Sequence, residues 1–176
     1  MNANEFVKKV SMLKPNTEDF QNVEISEESK EQYIAEFNVK KISDKMYENE
    51  IVNLISNYDV TSFRVHDITF DADYQQDNEY LYFGFDIYDR LIINKDNGKI
   101  FSYDAYGDRI VLACAENAEK FLDALYEIMK FSKTKMLTKY SEKIFIENSK
   151  KVAYLAALHA GGEEYEDYYK VMLGIE

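Results

Sequence analysis

The sequence predicts an α+β fold: an antiparallel β-sheet of about five strands flanked by helices, with extra helices at the C-terminal end. Three observations carry that expectation. Apolar residues recur with a helical period up to about Tyr58 and again after Asn117. Between those segments they alternate along short runs separated by turns rich in Asn, Asp and Gly. The connections between the runs are too short for a parallel crossover, so consecutive strands must be antiparallel.

Phe6, Val10 and Leu13 fall at helical spacing after Asn4, a candidate cap, and Pro15 closes the segment. Ser26 opens a short peripheral helix, in which Glu27 and Glu28 suit the positive end of the dipole and Tyr33, Ile34 and Phe37 form a stripe. Ser43 is placed to cap a stronger helix through Tyr47, Ile51, Leu54, Ile55 and Tyr58. Phe63 and Val65 then alternate in one phase and Ile68 and Phe70 in the other, which predicts a bulge near His66 and Asp67.

From Leu81 the odd positions are Leu81, Phe83, Phe85 and Ile87, and the even ones include Tyr80, Tyr82 and Tyr88. Such a strand has one dry face and one tyrosine-rich face. Leu91 to Asn94 and Lys99 to Tyr103 flank Asp96-Asn97-Gly98, a hairpin signal. A three-residue loop with Gly98 left-handed pairs Ile93 with Phe101 and Leu91 with Tyr103, and is preferred to a two-residue Asn-Gly turn that would mix apolar and polar partners. Tyr106-Gly107-Asp108 makes another turn, and Arg109 to Cys114 is the next strand. Asn117 caps a helix carrying Phe121, Leu122, Leu125, Ile128 and Met129, followed by Lys130, Lys133, Lys135 and Lys139. Ser141 opens another helix that ends at Gly161-Gly162, and a last one starts with Glu163, Glu164, Glu166 and Asp167. No repeat or linker marks a boundary, so residues 1–176 form one domain.

The net charge is −12. A field of that sign repels phosphates and anionic headgroups, so neither nucleic acid nor a membrane is expected as a partner, and a basic protein is the complement. Cys114 is the single cysteine and no apolar leader precedes Lys8 and Lys9, which leads to a cytoplasmic expectation. His66 and His159 lie far apart with no zinc-binding spacing, and no phosphate loop or nucleophile elbow is present. No metal, cofactor or catalytic residue is therefore expected. Cys114, between Ala113 and Ala115, reads as a small buried hydrophobe; use as a nucleophile would need a base beside it.

Asp71, Asp73, Asp77 and Glu79 form the densest acidic cluster and are expected on a loop. The calcium-loop template fails there, because Gln76 stands where glycine is required and Tyr82 where the bidentate glutamate belongs. A solvated loop or an acidic edge for a partner remains. Tyrosine is the other excess, 15 residues with no tryptophan. Its rigid apolar ring and polar tip suit wet interfaces, although helices packed over the tyrosine face would explain it more simply.

The segments Tyr82-Phe83-Gly84-Phe85-Asp86, Leu91-Ile92-Ile93-Asn94, Asp96 to Asp104 and Ala113-Cys114-Ala115 leading to Phe121-Leu122 resemble the SUKH superfamily. The resemblance covers about Glu48 to Phe131, with N-terminal helices over 4–40 before it and a helical extension over 141–173 beyond it. The family often has Leu-Pro before its first helix and Asn-Gly after it; here Ser43 to Met46 and Asn57-Tyr58-Asp59 stand in those places. The resemblance implies a non-catalytic α+β domain, of which many bacterial members are immunity proteins that neutralise a cognate toxin, often a nuclease. Contact residues expected on that reading are Asp71, Asp73, Asp77 and Glu79, with Tyr80, Tyr82, Asp104 and Tyr106 along the adjoining strands. The alternative is a regulatory scaffold or small-ligand-binding domain of the same fold, using a cleft beside the sheet.

Overall fold

A computed structural model describes residues 1–138 and 141–175, so Lys139 lies outside the described residues. In chain order the elements are α1 (Ala3–Leu13), α2 (Glu27–Ala35), β1 (Lys40–Lys41), α3 (Glu50–Asn57), β2 (Tyr58–Asp59), β3 (Arg64–Val65), β4 (Ile68–Gln76), β5 (Tyr80–Asp86), β6 (Asp89–Asn94), β7 (Ile100–Asp104), β8 (Arg109–Ala115), α4 (Ala118–Leu137), α5 (Glu142–Ala160) and α6 (Glu166–Met172). Strands β3 to β8 form one antiparallel sheet in simple chain order, and β1 pairs with β2 separately. The α+β class, the antiparallel sheet and the C-terminal helices all match the reading of the sequence.

One side of the sheet carries the core. Phe83, Leu91, Ile93 and Ile100 meet Phe6 of α1, Ile51 and Leu54 of α3, and Phe121 and Leu125 of α4 in a continuous buried cluster. Phe83 packs edge-on against Phe121 at 6.0 Å between ring centroids. Helix α5 lies on α4 and presents Ala153, Ala156, Ala157 and Ala160, all without solvent contact, to the same cluster. Helix α6 closes the β8 edge, where Tyr169 donates to the Cys114 carbonyl at 2.9 Å. No helix among the described residues is long and apolar enough to cross a membrane.

Several local expectations change. The cap of α1 is Asn2, not Asn4, since Asn2 accepts from the Glu5 amide and Glu5 reaches back to Asn2. Helix α3 starts at Glu50, capped by Asn49 rather than Ser43, because the Asn49 carboxamide accepts from Ile51 and Val52. His66 and Asp67 form a two-residue turn joining β3 to β4, with His66 at φ 55°, instead of a bulge within one strand. In the β6–β7 hairpin Ile93 pairs with Ile100 and Leu91 with Ser102. The loop is one residue longer than expected, since Asn94 pairs with Lys99 and its side chain accepts from the Asp96 and Asn97 amides. Gly98 is left-handed, at φ 73°.

Candidate functional site

The site is set by an irregularity in β5. Tyr82 pairs with Ile92, but the next pair is Gly84 with Leu91, so Phe83 is an extra residue. The extra residue turns Phe83 into the core and shifts the alternation beyond it. Phe85, expected on the dry face, is consequently exposed, while Ile87 and Tyr88 form the turn beyond the strand, with Ile87 at φ 54° and exposed. Gly84 is the residue that permits this. A Cβ there would lie 2.2 Å from the Thr69 carbonyl oxygen of β4.

On the side away from the helices, Tyr80, Tyr82 and Tyr103 form a cluster with ring centroids 6.0–6.5 Å apart. Ile92 lies in the same face with no solvent contact, paired with Tyr82 and with Phe101. Arg90 extends the face. Its guanidinium sits 4.1 Å from the Phe85 ring centroid and 5.7 Å from that of Tyr82, and it is tied to Asp71 at 2.7 Å.

Two carboxylates hold the tyrosine tips. Tyr82 donates to Asp77 Oδ2 at 2.6 Å and Tyr103 donates to Asp108 Oδ1 at 2.5 Å. Asp77 Oδ1 also accepts from the amides of Glu79 and Tyr80, at 2.8 and 2.7 Å. The Tyr82 hydroxyl first, then those amides, hold the Asp77 carboxyl below its ordinary range. Conversely the Asp77 hydrogen bond pushes the Tyr82 phenol up, and the Asp108 hydrogen bond pushes Tyr103 up to about 12. Asp77, Asn78, Glu79, Tyr80, Tyr82, Tyr103 and Asp108 line a shallow cup of about 350 Å³. All of these residues come from strands or turns, so the tyrosine face here is open rather than packed under helices.

The expected contact residues divide into three groups. Asp77, Glu79, Tyr80 and Tyr82 meet in the cup. Asp71 and Asp73 fall within strand β4 rather than on a loop, in its irregular stretch between the Phe70–Gly84 and Gln75–Tyr82 pairs; Asp71 is committed to Arg90, while Asp73 is exposed and accepts from the Tyr74 amide. Asp104 and Tyr106 sit at the β7–β8 turn, where the Asp104 carboxylate accepts from the amides of Tyr106 and Gly107 and is held low by them. Tyr106 is fully exposed. The cup also recruits Tyr103 and Asp108, which sequence spacing did not assign to it. The available signal was the Tyr106-Gly107-Asp108 turn, which puts Asp108 left-handed at φ 49° and brings its carboxylate back to Tyr103.

Cys114 is buried without solvent contact, and burial first, then the Asp86 charge, push its thiol well above its ordinary value. Among the described residues no three of His, Cys, Asp and Glu are grouped to hold a metal ion. Comparison with protein-family models, curated proteins and solved structures finds no match to this chain.

Proposed function

We propose that this chain is an immunity-type protein of the SUKH kind, acting in the cytoplasm, which binds and neutralises a basic, nuclease-like toxin by stoichiometric protein–protein association. The observation that supports this reading is the open face built from Tyr80, Tyr82 and Tyr103 and edged by Asp77, Glu79 and Asp108. Rigid aromatic rings with fixed hydroxyls lose little conformational entropy on binding, and the acids steer and orient a cationic partner. Nuclease domains grip phosphates through basic surfaces, so one acidic face both attracts such a domain and occludes its site.

The acids differ in how they serve. Asp77 and Asp108 position tyrosines, whereas Glu79 and Asp73 are exposed to solvent and make no ion pair among the described residues. Charge reversal at Glu79 and Asp73 therefore tests the contact without dismantling the turn. The test is association of this chain with the C-terminal domain of the protein encoded beside it, followed by stopped flow. The expected result is a one-to-one complex whose on-rate drops at least about tenfold from low to high ionic strength. A salt-independent on-rate, or full-strength binding by the Glu79→Lys/Asp73→Lys variant, overturns this assignment.

A further inference from the structure

Beneath the sheet, on the helical side, the β5–β6 turn and α6 leave a cavity of about 240 Å³. Its polar end is made by Asp86 and Asp89, which pair across the two-residue Ile87–Tyr88 turn, together with Ser102. Its walls are apolar, from Val111 and Leu112 of β8 and Val171 and Met172 of α6. Among the described residues no lysine, arginine or histidine lines it. Asp89 is oriented by the Ser102 hydroxyl, which donates to its Oδ2 at 2.9 Å.

Two further features bear on what the cavity can accept. Tyr168 also lines the cavity and is 2% exposed; its hydroxyl makes no hydrogen bond of ordinary geometry among the described residues, yet it lies near enough to Asp86 to hold that carboxyl down. Native structures seldom leave such a group unmatched. Asp86 is partly withdrawn from solvent, and that burial pushes its carboxyl up, with Asp67 and Asp89 adding to the effect and the Tyr168 hydroxyl and His66 opposing it. A cation placed here would relieve the mutual repulsion of the two acids.

We propose that this cavity receives the guanidinium of one arginine side chain from a protein partner. An arginine stem is apolar and matches the Val111, Leu112, Val171 and Met172 walls. The planar fork has five donors, is less strongly hydrated than an ammonium, and can serve Asp86 and Asp89 together. The origin of the arginine rests on the basic-partner reading, but the cavity lies on the other side of the sheet from the tyrosine cup and can be tested by itself.

The test is a ¹H–¹⁵N NMR titration of the full chain with N-acetyl-arginine methylamide and with its neutral citrulline counterpart. The arginine compound should give saturable shifts at Ile87, Tyr88, Asp89 and Tyr168, with citrulline binding about tenfold weaker or more. Asp86→Asn should weaken the arginine compound by a similar factor, the rest of its spectrum reporting that the fold is kept, and Tyr168→Phe gives a second, size-matched readout. Absence of shifts, equal shifts with citrulline, undiminished binding by Asp86→Asn, or shifts confined to the tyrosine cup each overturn the cavity. If the compound fills the cavity but does not compete with the basic partner, the protein origin of the arginine is overturned while the cavity stands. If it competes, the cavity belongs to the interface.

Discussion

Asp77 and Asp86 stand at the two ends of one strand, and their environments drive them in opposite directions. Asp77 is exposed and is held ionised by the Tyr82 hydroxyl and two turn amides. Asp86 is partly buried, has apolar neighbours and a second carboxylate close by, and its proton is held more tightly than usual. The comparison teaches that hydrogen bonds to the ionised form and removal of water decide what a carboxylate can do. Density of acids along the chain does not: the Asp71 to Glu79 cluster contains a strand residue paired to Arg90 and a turn residue that positions a tyrosine.

Both ends depend on the bulge between them, so the largest effect is expected there. Gly84→Ala drives a methyl group into the Thr69 carbonyl and should cost about 3 kcal/mol of stability, read as a fall in the urea midpoint. A variant as stable as the parent would mean that the bulge can relax and does not fix the two ends. Next is binding at the open end: Glu79→Lys with Asp73→Lys should slow association with a basic partner at least about tenfold at low salt, about 1.4 kcal/mol in the encounter.

The contrast between the acids has a pH signature of opposite sign. Asp86 has a raised value in the folded chain, so it opposes folding when ionised and that penalty is relieved as pH falls through its folded value. Asp86→Asn should therefore be more stable than the parent at neutral pH, with the advantage shrinking towards acid. Asp77 is depressed, so its contribution is complete above its unfolded value and is lost as pH falls through the folded one. Asp77→Asn should be the less stable at neutral pH and converge with the parent in acid. Urea midpoints at neutral and acidic pH check both signs. Equal signs would collapse the comparison. The smallest effect is spectroscopic: in ultraviolet titration Tyr103 should ionise near 12, and Asp108→Asn should move that transition down towards ordinary tyrosine.

Much of this architecture was legible along the chain. The Phe121, Leu122, Leu125 and Ile128 stripe, the Asn117 and Ser26 caps and the Gly161-Gly162 stop each act within a few residues, and each is found where it was expected. Four members of the cup, Asp77, Glu79, Tyr80 and Tyr82, were also identifiable as an acid-and-tyrosine run. Tyr103 and Asp108 were not, because their closeness to that run depends on pairing across β6 and on a turn that folds back. The exposure of Phe85 was hidden for a related reason. Strict alternation in the sequence carries no mark of an extra residue unless the neighbouring strand is known to approach within contact of Gly84.

The sequence by itself determined the α+β class, the antiparallel meander and the acidic character, because periodicity, turn chemistry and charge are properties of neighbours along the chain. The tertiary structure alone decided which sheet face the helices left open, which acids hold tyrosines and which is enclosed with Tyr168. Those outcomes depend on pairing register and on water exclusion between segments as distant as β5 and α6, and neither is written in any short stretch of residues.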